Sequence, residues 1–263
     1  MTAHLVRLLQ LASPMLPIGA FSYSGGLEAA IESGAVYDAA SGARWIGDVL
    51  HGSVGRQDAV LVALTQTDWR ALVEYPERAP DASLVERMTA RNTLAFATRE
   101  TAELRQESTQ SGHSLAIWIE RTLDPGNPLQ SVMQTLAPLA YPLAWAAAGA
   151  QLGLAARETV VALLWSFAEN QASALMKALP LGQTPAQRML LELGATLDAL
   201  ADDALERART AAMMPMSAST LADHSFKSVE ALAPDAHWLG GAMPALAIAS
   251  MQHETQYSRL FRS

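Results

Sequence analysis

Cysteine is absent from the chain. Disulfides, zinc ribbons, iron–sulfur clusters and thiol nucleophiles are therefore excluded together, and an intracellular, cytoplasmic protein is the expectation. Positive charge is scarce: 18 Lys and Arg stand against 26 Asp and Glu, a net charge of −8. Nucleic-acid binding is not expected, because phosphate neutralisation needs a basic face. Strand signals are also missing, with no sustained β-branched alternation and no Asn-Gly or Asp-Gly hairpin turn. The first sixteen residues, Met1 to Leu16, lack a convincing cleavage site, so a secretory signal is not expected. One run, between Asp124 and Arg157, has no charged residue. Its length could span a bilayer, but Pro125, Pro128, Pro138 and Pro142 divide it and its many alanines favour insertion little. A buried helical segment is expected there, and no membrane span.

What is present is helical periodicity in a chain that is 50% apolar and 17% charged, the profile of a core-forming protein. Leu190, Leu193, Leu197, Leu200 and Ala204 recur at steps of three and four, predicting an amphipathic helix of roughly five to seven turns. Asp203 with Arg207 and Glu206 with Arg209 are favourable pairs on its polar side. Ser83 and Glu86 read as a capping box opening a helix through Met88, Leu94 and Leu104. Ser41 caps another, running through Trp45, Val49 and Val60 to Leu64, and Arg157 to Leu179 is apolar enough to be central. Breakers fall at 14–26, 75–80, 124–128 and 180–185. The expectation is a single all-α domain, a bundle of about eight to ten helices with a mobile C-terminal tail. Residues 1–212 form the core. Residues 213–244, mixing Pro, Ser, Gly, Asp and His, form a connector with short helical turns, and 245–263 supply a last helix and tail of the same domain. The loop from Ser13 to Ser24 is too apolar to be free and is expected to pack beneath helices, while Ser22 and Ser24 cap the helix containing Leu27 and Glu28.

No enzyme motif survives inspection. No two of His4, His51, His113, His224, His237 and His253 sit at ligand spacing, and Tyr257 occupies the position where a zinc-protease helix starting at His253-Glu254 needs its second histidine. A weak or shared metal site in an assembly would draw on His224, His237 or His253. Gly182-Gln183-Thr184 lacks the lysine and upstream glycine of a phosphate loop, and Ser22 and Ser24 lack the nucleophile-elbow pattern. Glu100, Glu103 and Glu107 with Arg99 and Arg105 read as a solvated helix face. Asp202-Asp203 with Glu206 is the nearest approach to the acidic pairs of helical-bundle enzymes, on a face read as exposed. No catalytic, cofactor-binding or metal residue is assigned. A binding or scaffolding protein leads by elimination. A generic α-helical adaptor, and an all-α enzyme assembling its site from distant helices, are the alternatives.

The C-terminus, IASMQHETQYSRLFRS from Ile248 to Ser263, is unlike an ordinary frayed end. Aromatic and arginine residues interleaved in this way are the composition of interface hot spots. The tail can order against a partner or fold back on its own domain. Four blocks then resemble the urease accessory protein UreF family: Leu8 to Glu28, Arg99 to Ser108, Pro180 to Arg188 and Ile248 to Ser263, in the family's order. Ala186 departs from the glycine often found there, and the 213–244 connector looks long and supplies extra histidines, so no role is carried over to it. The resemblance implies an all-α homodimer that acts with UreD (UreH in some organisms) and the GTPase UreG. These deliver nickel to apo-urease and build its dinickel centre, with UreF bridging the two partners and regulating the GTPase step. It further implies that Met251, His253, Glu254, Tyr257, Arg259, Leu260 and Arg262 contact UreD, and that Glu28 and Lys177 face UreG. No cofactor is implied.

Overall fold

The structure, a computed structural model, describes residues 2–77, 80–123, 128–213, 241 and 243–262. Among these residues there are twelve α-helices and no strand. They are α1 (Thr2–Leu11), α2 (Leu27–Glu32), α3 (Ala39–Val49), α4 (Asp58–Glu74), α5 (Ala82–Ala97), α6 (Ala102–Trp118), α7 (Pro128–Thr135), α8 (Tyr141–Gln151), α9 (Ala156–Ala178), α10 (Gln183–Gly194), α11 (Leu197–Ala212) and α12 (Pro244–Glu254). Single π-helical turns extend α3 and α6, at Leu50–Val54 and Ile119–Leu123.

The charge-free run becomes the centre of the core. Every residue of α8 from Pro142 to Ala150 is buried. Its alanines and glycine let α4, α6 and α9 approach on different sides, and α4 against α8 is the most extensive helix pairing. At Gly149 a Cβ would lie 2.4 Å from the Thr159 hydroxyl, and at Gly112 of α6 one would lie 2.0 Å from the Leu139 carbonyl oxygen. These glycines are spacers: they set how close the helices come. Trp145 fills the remaining depth and donates its indole N–H to the Thr159 carbonyl at 2.9 Å. No helix among the described residues is long and apolar enough to cross a membrane.

Helix count exceeds the expectation because three periodic stretches are interrupted. The one from Ser41 to Leu64 ends at Val49, passes through the π turn at Leu50–Val54 and restarts as α4 at Asp58. The one from Met88 to Leu104 stops at Ala97 and restarts under a new cap, where the Thr101 hydroxyl accepts from the Leu104 N–H. The one from Leu190 to Ala204 breaks between Gly194 and Leu197 while keeping its apolar stripe in register. Caps shift as well. Asp38 caps α3, with Ser41 as its capping-box partner, and Asp81 caps α5 through the Ser83 N–H. Gly26, at φ 80°, precedes α2, with the Ser24 hydroxyl accepting from the Glu28 N–H at 3.3 Å. The Asp203–Arg207 and Glu206–Arg209 pairs form as expected. The loop from Ser13 to Ser24 packs through buried Leu16, Ile18 and Tyr23 and leaves Met15 and Phe21 exposed. Most of the 213–244 connector, with His224 and His237, lies outside the described residues. Gly241, however, is buried, its carbonyl accepting from the Gln57 amide at 2.8 Å.

Gly112→Ala tests the spacing. Alanine favours an isolated helix by roughly 0.5–1 kcal/mol, yet collision with the Leu139 carbonyl is expected to lower the unfolding free energy by about 1–3 kcal/mol, the usual cost of overpacking. Denaturant titration followed by circular dichroism reads this directly, and an unchanged or raised midpoint refutes the contact.

Candidate functional site

The last helix is docked by its sequence spacing. Leu246, Ala249, Ser250 and His253 form the one buried stripe of α12, facing α2 and α6. The approach to α2 is close: a Cβ on Gly26 would stand 3.3 Å from both the Ala249 methyl and the Ser250 nitrogen. Gly26 is thus needed for its positive φ and for its missing side chain. On the α6 side the Ser250 and Thr101 hydroxyls share a 2.7 Å hydrogen bond.

One turn further on, α12 delivers His253 into a buried polar cluster. Its side chain has no solvent exposure. Nδ1 lies 2.8 Å from Oε2 of Glu103, and Nε2 lies 3.2 Å from Oε2 of Glu28. The Arg259 guanidinium donates to the other Glu103 oxygen at 3.0 Å. Glu28 in turn accepts the backbone N–H groups of Leu260 at 2.7 Å and Phe261 at 3.0 Å. Two carboxylates, one imidazole and one guanidinium from α2, α6, α12 and the tail therefore satisfy one another, as buried ionisable groups must. The tail is held further by the Arg262 N–H on the Ser22 carbonyl at 2.7 Å. Phe261 is buried, with the Lys177 ammonium 5.7 Å from its ring centre.

A second polar group lies behind α12. Asp58 and Arg99 form a buried ion pair beside a cleft of about 90 Å³ lined in part by Glu107, Ser108, Tyr141 and Asn170. Burial opposes the Arg99 charge, but Asp58, assisted by Glu107 and Glu100, holds its pKa above the ordinary arginine value. Burial pushes the Tyr141 hydroxyl far up, so it stays neutral.

The residues assigned to partners divide into two sets. Met251, Glu254, Tyr257, Arg259, Leu260 and Arg262 are exposed, as is Lys177. His253 and Glu28 are not: Glu28 is 6% exposed and holds the chain's own tail, and His253 is buried between Glu28 and Glu103. The reading of Glu100, Glu103 and Glu107 as a solvated face also needs correction. Glu100 is exposed, but Glu103 is buried against His253 and Arg259, and Arg99 is buried against Asp58. Sequence reasoning missed Glu103, Asp58 and Arg99 as structural charges. The only signal for the first and last was their place in the Arg99–Ser108 block. No group of three or more His, Asp or Glu among the described residues can hold a metal. The two nitrogens of His253 point in opposite directions, so the carboxylates beside them do not converge with the ring on one point.

Fold and site together define an all-helical protein whose most elaborate polar cluster fastens its own C-terminal segment. The sequence profile of the UreF family matches residues 36–194. The chain is 39% identical over 261 residues to the urease accessory protein UreF of Dechloromonas aromatica, covering 99% of this chain and 98% of that one. It is 41% identical over 262 residues to those of Azoarcus sp. (98% and 95% covered) and Cupriavidus taiwanensis (99% and 98%). The chain belongs to the UreF family, whose members are accessory proteins and not catalysts.

Glu28→Ala removes the acceptor for two tail amides and one imidazole nitrogen. Leaving buried donors unpaired costs about 1–3 kcal/mol, so amide exchange of residues 258–262 is expected to quicken roughly 10- to 100-fold with helical circular dichroism retained. Unchanged exchange would show that the tail is held by other means.

Proposed function

We propose that this protein is a scaffold in urease maturation that bridges UreD (UreH) and the GTPase UreG while nickel is delivered to apo-urease and its dinickel centre is built. Membership of the UreF family carries this reading. Its relatives, matched over nearly their full length, bear the name urease accessory protein. The surface is in keeping with it. Tyr257 is fully exposed, and Met251, Ile248 and Leu260 of the same last helix and tail are at least half exposed, with exposed Arg259 and Arg262 flanking Leu260 in sequence. Large apolar side chains with arginines at their edge are the usual anchors of a protein interface. UreD is assigned to this face through Met251, Glu254, Tyr257, Arg259, Leu260 and Arg262, with His253 holding the helix that carries the first two and leads into the tail.

UreG is assigned to the neighbouring face at Lys177, with Glu28 acting beneath it by fixing Leu260 and Phe261. A scaffold of this kind regulates a GTPase only through its differential affinity for the nucleotide states. A homodimer in the cytoplasm is the expected working form. Nickel is cargo here, held chiefly by the partners, since this chain has no thiolate and no convergent set of imidazoles and carboxylates among its described residues.

Removal of residues 257–263 is expected to leave the helical circular dichroism intact, because the segment contains no helix in its described part, and to abolish co-purification with UreD. Retained co-purification would refute the assignment. Titration calorimetry of the isolated protein with Ni²⁺ should show only weak binding; a stoichiometric submicromolar site would contradict the cargo reading.

A further inference from the structure

We infer that the groove between the N-terminal loop, α9 and α10 is a docking surface for UreG. It takes a segment that presents a basic side chain to Glu169, an acidic one to Lys177 and Arg262, and an apolar one between them. The inference rests on the assignment of UreG to Lys177 and extends that face along α9.

Glu169 is the residue that carries it. The buried carboxylates Glu28, Asp58, Asp68 and Glu103 each accept from donors within the chain, and half-buried Glu158 meets His4. Glu169 is also half-buried, yet it has no hydrogen bond or ion pair among the described residues. Burial pushes its pKa up, and no cation or donor counters this. A desolvated carboxylate is unfavourable until a cation or donor meets it. The groove around it has a volume of about 280 Å³ and mostly apolar walls, among them Leu16, Ile18 and Phe21 of the loop, Met176 of α9 and Leu190 of α10. Nothing in those walls supplies the missing positive charge.

Charge of the opposite sign lies at the other end. Phe21 also borders an adjoining pocket whose two charged groups are both cations, Lys177 and Arg262. Lys177 lies over the Phe261 ring and Arg262 reaches the neutral Gln110 amide; neither meets a carboxylate among the described residues. Glu169 and Lys177 are two helical turns apart on α9, about 12 Å along its axis. The surface therefore reads negative, apolar, positive, with Phe21 largely exposed between the two ends. Uncompensated charges in a fixed order select a partner of complementary order and reject the reversed one. Arg262 belongs to the tail seated on Glu28, so the cationic end is complete only while the tail is docked.

Binding measurements on the full chain test this, with UreG and UreD as separate probes. Glu169→Lys sets a cation against the incoming basic side chain and is expected to weaken UreG binding about 10- to 100-fold. Phe21→Ser removes the apolar anchor and is expected to weaken it about tenfold. Glu169 has no partner within the described chain to lose, so helical circular dichroism, UreD binding and the particle mass by light scattering should not change. If Glu169→Lys fails to fold, Glu169→Gln decides, with an expected loss of roughly three- to tenfold. UreG held as tightly by these variants as by the unaltered chain overturns the inference and leaves the assignment at Lys177 standing. Loss of UreD in place of UreG, or a fall in particle mass, would reveal UreD or a second copy of the chain as the occupant and overturns it too. An unaltered chain that does not retain UreG refutes the underlying assignment, and the inference with it.

Discussion

Glu28 is the constraint on which the arrangement of the C-terminus depends. One carboxylate accepts two consecutive tail amides and faces the imidazole of His253. That geometry requires α2 to start within van der Waals reach of α12, which Gly26 permits by lacking a side chain. It also requires a second anion, Glu103, on the opposite side of the ring. Desolvation makes such a cluster costly unless every member is paired. Removing one partner is far more damaging than replacing the whole set with apolar groups. A join built this way adds little net stability but holds in a single register. Ser250 against Thr101 and Arg262 against Ser22 fix the same register at either side.

The tail and the bundle are stabilised by different means. The core rests on apolar burial around α8, where helix spacing is set by Gly112 and Gly149. The tail beyond Glu254 buries one apolar side chain, Phe261, and otherwise relies on hydrogen bonds and ion pairs. Segments with few buried apolar contacts open at low free energy. Exposed Tyr257 and Leu260 are therefore carried on a segment with little apolar burial of its own, and the same residues are suited to burial against a second protein.

The all-α class, the buried nature of the charge-free run and the central helix from Arg157 onward were legible in the sequence, because apolar periodicity and the absence of charge both report burial directly. Breaks inside the periodic stretches were not. The stripe through Leu193 and Leu197 continues across the interruption at Ala195 and Thr196, so periodicity alone gives no sign of it. The tail's composition marked it as an interface, but not whose. Its partner within the chain is a pair of glutamates, Glu28 and Glu103, lying 225 and 150 residues from His253. Spacing along a helix shows which charges can pair locally; it is silent on charges that meet only through tertiary packing. That is why Glu103, beside Arg105 and Glu107, read as an ordinary exposed decoration.

A partner that grips this C-terminus must act on one of two states. In the seated state Leu260 and Tyr257 project from a fixed platform, and binding needs little further ordering of the backbone. In a released state the same residues would have to be ordered on binding, which weakens association by the free energy of that ordering. The seated tail is therefore the form with the higher intrinsic affinity for any surface that reads Tyr257, Leu260 and Arg262 together. Because linkage is reciprocal, capture of that face also stabilises the Glu28–His253–Glu103 cluster beneath it. Glu28 thus connects the Lys177 side of α9, which meets the tail at the Phe261 ring, with the exposed face of the tail at Leu260, through backbone amides it holds directly.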